Sequence, residues 1–68
     1  MTADEVKLVM RAAQQLGWTA VKIISVDGEW LAAAFDFKFY DEFGLLCCIT
    51  NGGRLFIQPS RILAIWPY

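Results

Sequence analysis

The sequence contains no histidine, and its only two cysteines, Cys47 and Cys48, stand side by side. Without histidine it lacks the one side chain that ordinarily changes charge near neutral pH, which is also the commonest metal ligand. Neighbouring strand residues point to opposite faces, so Cys47 and Cys48 neither bridge each other nor chelate a metal together. The C-x-x-C spacing of zinc and redox sites is missing as well. Both residues read as packed thiols in a reducing, cytoplasmic compartment. There is no phosphate-binding glycine loop, and no Ser or Cys stands beside an apparent base. Asp36, Asp41 and Glu42 are close in sequence, but in or beside a turn, where solvation accounts for them. The expectation is a protein that is not an enzyme and uses no metal or cofactor.

Two further scarcities narrow its partners. No apolar run reaches the ~18–20 residues of a membrane span, and the start "MTADEVK" has neither the basic opening nor the apolar core of a signal peptide. No membrane partner is expected. Six Lys and Arg are scattered against seven Asp and Glu, for a net charge of -1. No broad basic field advertises nucleic acid, so any such binding must come from local geometry.

What the chain has is apolar surface. It is 57% hydrophobic and 15% aromatic, with mean hydropathy +0.44. Its 68 residues make one domain, 1–68. A domain of this size buries only about 60% of what its unfolded chain exposes. The surplus implies a homo-oligomer. The closing stretch "NGGRLFIQPSRILAIWPY" points the same way, because chain ends fray unless an element ties them down. This end reads as a strand with something to pair with.

The elements follow from spacing. "TADE" forms a capping box, with Thr2 and Glu5 exchanging hydrogen bonds and Asp4 and Glu5 suiting the positive helix end. Val6, Val9, Met10, Ala13 and Leu16 recur at helical period, and Gly17 suits a left-handed stop. These residues predict a helix over about 3–16. Five strands follow, over about 19–26, 29–39, 45–50, 53–57 and 61–66, separated by "DG", "DEFG", "NGG" and "PS". In the second strand, alternation places Leu31, Ala33, Phe35, Phe37 and Phe39 on one face. Trp30, Ala32, Ala34, Asp36 and Lys38 take the other. A meander this short must close or stack to hide its edges, so the expected fold is mainly β (α+β). In it, an N-terminal helix precedes a strongly bent five-stranded antiparallel barrel.

That layout resembles the Sm-like family of RNA-binding ring proteins (LSm proteins and bacterial Hfq). "VKIISVDG" resembles the family's first strand and turn, and "YDEFGLL" its first signature. "LFIQPSRILAIW" resembles its second. Gly44 stands where the family usually has Asn, and Gln58-Pro59 where it has Arg-Gly. The resemblance implies a ring of five to seven subunits in which the fourth strand of one copy pairs with the fifth of the next. It also implies contact with single-stranded RNA. Phe43 falls where a base stacks and Asp41 at the loop-orienting acid. Gln58 takes a base edge and Arg61 a phosphate, while Lys38 and Arg54 are further phosphate candidates. Each also has an ordinary structural role open to it. Trp18, Trp30 and Trp66 read as core or subunit contacts, and Tyr40 is undecided. Two alternatives remain at this point: a protein-interaction scaffold ring on the same barrel, and an SH3-like barrel unrelated to Sm proteins.

Overall fold

The helix forms where its caps place it. In the computed structural model, which describes all 68 residues, α1 spans Ala3–Gln15. Thr2 Oγ1 accepts from the Glu5 amide at 3.1 Å, and Glu5 Oε1 accepts from the Thr2 amide at 2.8 Å. At the far end, the Trp18 amide donates to the Ala13 carbonyl and the Gly17 amide to that of Gln14. This is a Schellman stop, and Gly17 supplies its left-handed residue at φ 77°. Val6, Met10 and Ala13 are fully buried, as the helical stripe requires.

Five strands follow: β1 Ala20–Ser25, β2 Gly28–Tyr40, β3 Leu45–Thr50, β4 Gly53–Ile57 and β5 Ile62–Pro67, with a 3-10 turn at Pro59–Arg61. They form one antiparallel sheet in the order β4-β3-β2-β1-β5. The hairpins β1–β2 and β3–β4 share a device that neither "DG" nor "NGG" advertises. Ser25 Oγ donates to the Gly28 carbonyl and accepts from the Asp27 amide. Thr50 Oγ1 makes the same pair of bonds with Gly53 and Gly52. A hydroxyl three residues before a glycine therefore staples each two-residue turn.

β2 does not keep the strict alternation expected of it. Ala32 pairs with Thr50, but Phe37 pairs with Cys48, so five residues of β2 pass against two of β3. The surplus makes a bulge that bends the strand and changes which parity faces inward. Ala32 and Ala34 lie in the core before the bend, and Phe37 and Phe39 pack against the core after it. Phe35, expected to share a face with Phe37 and Phe39, is instead 74% exposed. Its carbonyl accepts from Gln14 Nε2 of the helix at 3.3 Å.

The sheet curls but does not close into the expected barrel, since β4 and β5 pair with β3 and β1 and not with each other. Curling is forced by the connection. In a flat sheet, edge strands four spacings apart lie about 19 Å away from each other. Only residues 58–61 join β4 to β5, and three of them are coiled in the 3-10 turn, where each advances about 2 Å. A flat sheet is out of reach for that link. Accordingly Ile57 of β4 and Ile62 of β5 meet in one core with Val21, Ile23, Leu46, Cys48 and the helix stripe. The apolar C-terminus is ordered within the chain itself. β5 pairs with β1 from Ile62 to Pro67, and the Tyr68 amide donates to the Ala20 carbonyl.

Two substitutions test this packing by urea denaturation. Thr2→Ala removes the cap and is expected to cost about 1 kcal/mol. Ala34→Leu overfills the core where the helix meets β2 and is expected to cost about 1–3 kcal/mol. A neutral or stabilising Ala34→Leu would show that the small side chain there is not what lets helix and sheet meet.

Candidate nucleic-acid interface

The β2–β3 turn, residues 41–44, is built to present one aromatic ring. The Phe43 amide donates to the Tyr40 carbonyl and the Gly44 amide to that of Asp41. Gly44 adopts φ 62°. Among residues with a side chain, Asn tolerates this region best, so Gly suits the backbone at a place where the resemblance has Asn. Asp41 ties the turn to the helix. Its Oδ1 takes the Nζ of Lys7 on α1 at 2.5 Å, and that same ammonium sits 4.6 Å from the centre of the Phe39 ring. Phe43 does not pack beneath the turn and stands 69% exposed. Asp41 and Phe43 line a shallow cleft together with Lys38, Phe39, Tyr40 and Glu42.

Gln58 and Arg61 lie on the β4–β5 connection and line a second cleft of about 390 Å³. Its floor is apolar, from Trp30, Leu55 and Ile57. Arg61 is already engaged: its Nε and Nη2 grip the two carboxylate oxygens of Asp27 at 2.6 and 2.5 Å. This forked hydrogen bond holds the Asp27 carboxyl below its ordinary pKa and raises that of Arg61. The four candidate residues thus fall into two pairs, Asp41 with Phe43 and Gln58 with Arg61. Leu45, first in β3 after the turn, lines the second cleft and stands between them.

Three of the six basic side chains are spoken for, as Lys7–Asp41, Lys22–Glu29 and Arg61–Asp27. Lys38 and Arg54 make no ion pair. Lys38 Nζ lies 4.8 Å from the centre of the Tyr40 ring, and Arg54 Nη1 donates to Cys47 Sγ at 3.5 Å. Tyr40 in turn approaches Phe56, with ring centroids 6.2 Å apart. Sequence reasoning named Lys38 and Arg54 but missed Phe56, Lys7 and Asp27. Phe56 is recognisable only through the cross-strand register, and the other two only through contacts spanning 34 residues of chain.

The thiols are packing groups. Cys47 and Cys48 are both buried and unbridged. Burial, with Cys47 as a second cause, pushes the Cys48 thiol up to about 11, so it stays neutral at physiological pH. No group of three or more His, Cys, Asp or Glu side chains is placed to hold a metal ion, and no helix is long and apolar enough to cross a membrane.

The Asp27–Arg61 pair predicts an acid signature. Because the folded-state pKa of Asp27 is depressed, its stabilising contribution is present above the unfolded value near 3.9 and is lost as pH falls below it. Glu5 is depressed by its bonds with Thr2 and adds to the same trend. Urea midpoints measured from pH 6 to about pH 2 are therefore expected to fall less steeply for Asp27→Asn than for the wild type. Parallel profiles would mean the pair adds nothing to folding. Comparison with protein-family models, with curated proteins and with solved structures finds no match to this chain.

Proposed function

We propose that this chain is an Sm-like protein that assembles into a ring through its two free strand edges and binds single-stranded RNA. In that ring the open, curled sheet acts as the bent barrel of the family. The observation that carries the reading is the strand order. It leaves β4 and β5 as the sheet's two edges, and these are the strands that the resemblance pairs between neighbouring copies. Each pairs with only one strand, and beyond Ile62, whose carbonyl the Met1 ammonium takes, the free side is a template for another chain. A head-to-tail contact of this kind closes into a ring when the rotation per copy permits.

RNA contact in this reading centres on Phe43, whose ring is exposed on the turn that the Lys7–Asp41 pair ties to α1. Stacking supplies roughly 1–3 kcal/mol per base and needs no sequence readout. Gln58 offers its amide to a base edge, while Arg61 reaches a phosphate only by sharing the hold of Asp27. One such site is weak in a chain of net charge -1, and a ring repeats it in every copy. A protein-binding scaffold on the same ring is the second reading. It is favoured by large apolar side chains exposed away from both clefts, including Leu8 on α1, Leu16 at its C-terminal cap and Phe35 at the β2 bend.

Native mass spectrometry is expected to find a particle of roughly 38–54 kDa, five to seven copies of the 7.7 kDa chain. Fluorescence anisotropy at low salt is expected to find oligoribonucleotide binding that Phe43→Ala weakens roughly 5- to 100-fold. A stable folded monomer at micromolar concentration would overturn the ring. An assembled ring with no affinity for oligoribonucleotides would leave the scaffold reading, with a protein partner that survives nuclease treatment.

A further inference from the structure

Cys47 is buried yet stands outside the core cluster that holds both its neighbours, Leu46 and Cys48. It therefore points to the opposite, outer face of the sheet, away from α1. The register then identifies what shares that face. Lys38 and Phe56 lie directly across from Cys47 on β2 and β4, and residues directly opposite in a ladder share a face. Tyr40 lies two residues beyond Lys38 and Arg54 two before Phe56, so alternation puts them on it too. The contacts agree, because Arg54 covers the Cys47 sulfur and Tyr40 approaches Phe56.

We propose that this outer face of β2–β3–β4 is a track for single-stranded nucleic acid that joins the two loop clefts, in which Tyr40 and Phe56 stack bases while Lys38 and Arg54 hold phosphates. The proposal rests on the RNA-binding reading above and extends it from the turns onto the strands, where the register brings Tyr40 of the first signature and Phe56 of the second onto one face with Lys38 and Arg54. Three features favour this occupant. Lys38 and Arg54 are the cations of the sheet left without an ion pair, and they flank the two rings. The rings are accessible, Phe56 being 54% exposed and Tyr40 half-buried. Stacking on them requires free base faces, which a single strand presents and a duplex conceals. Of the carboxylates nearby, Asp36 acts on Arg54 without forming an ion pair, Asp41 is held by Lys7, and Glu42 shares the cleft of Lys38 and Tyr40. Pairing at the β4 edge uses backbone groups in the plane of the sheet, so this face stays open in an assembly.

The test uses the assembled full chain and a fluorescein-labelled oligouridylate of about 12 nucleotides, within the ~4–16 typical of such grooves. Phe56→Leu and Tyr40→Leu keep apolar bulk and remove the rings; each is expected to weaken binding roughly 5- to 100-fold. Lys38→Met and Arg54→Met keep their stems and are each expected to flatten the salt dependence by about 0.7 in log–log slope. Phe43→Ala serves as the loop control. Loss confined to Phe43→Ala, with the four outer-face variants binding as wild type, overturns the track and leaves the loop reading standing. No binding by the wild type overturns both. Should a ring variant misfold, amide chemical shifts of the unmodified protein decide the matter: Lys38, Tyr40, Arg54 and Phe56 are expected to move on titration, and their silence overturns the track. A polyglutamate peptide that binds as tightly, whether or not Phe56 is replaced, overturns the nucleic-acid assignment of the face.

Discussion

The fold depends on one strand changing sides. β2 pairs with β1 over its first half and mainly with β3 over its second, and the bulge between Ala32 and Phe37 lets it serve both. Before the bend, Ala32 and Ala34 turn small side chains toward Val6, Met10 and Ala13, so helix and sheet can meet closely. After it, Phe37 and Phe39 fill the wider space under the far half of the sheet. A straight β2 would keep one parity inward throughout, placing either Phe37 and Phe39 or Ala32 and Ala34 in solvent. The helix supports the bend directly, through Gln14 on the Phe35 carbonyl.

Curling follows from the short link between β4 and β5, and the edges follow from curling. The sheet bends far enough for Ile57 and Ile62 to share a core, yet β4 and β5 each pair with a single strand, and at the start of β5 the Met1 ammonium takes the Ile62 carbonyl. An edge of that kind is a standing invitation to another strand, and natural proteins ordinarily blunt it with charge, proline or cover. Here β5 carries no charged residue and offers Leu63 and Trp66 to solvent. The proposed ring is the arrangement that uses both edges at once.

Much of this was legible in the residues, and the exceptions have physical causes. The capping box, the helix stripe and the order of one helix and five strands are local, each written within a few neighbouring positions. Phe43 was named only through the resemblance, with packing beneath its turn left open, and the folded turn is what shows its ring exposed. The Lys7–Asp41 and Arg61–Asp27 pairs were not legible, because 34 residues separate the partners of each and only the folded chain brings them together. The same holds for Tyr40 and Phe56. Their proximity depends on the β3–β4 register, and a slip of one residue would send Phe56 to the other face.

The sequence by itself determined that the chain would be a capped helix followed by five strands, with two adjacent, unbridged thiols and no histidine chemistry. Periodicity, caps and residue inventory act over short stretches and do not need the rest of the molecule. Only the tertiary structure decided that β2 breaks its alternation, that the barrel stays open, and that Arg61 answers Asp27. Bulges, closure and ion pairs across the sheet are settled by how distant segments fit around one shared core, a competition that no local pattern encodes.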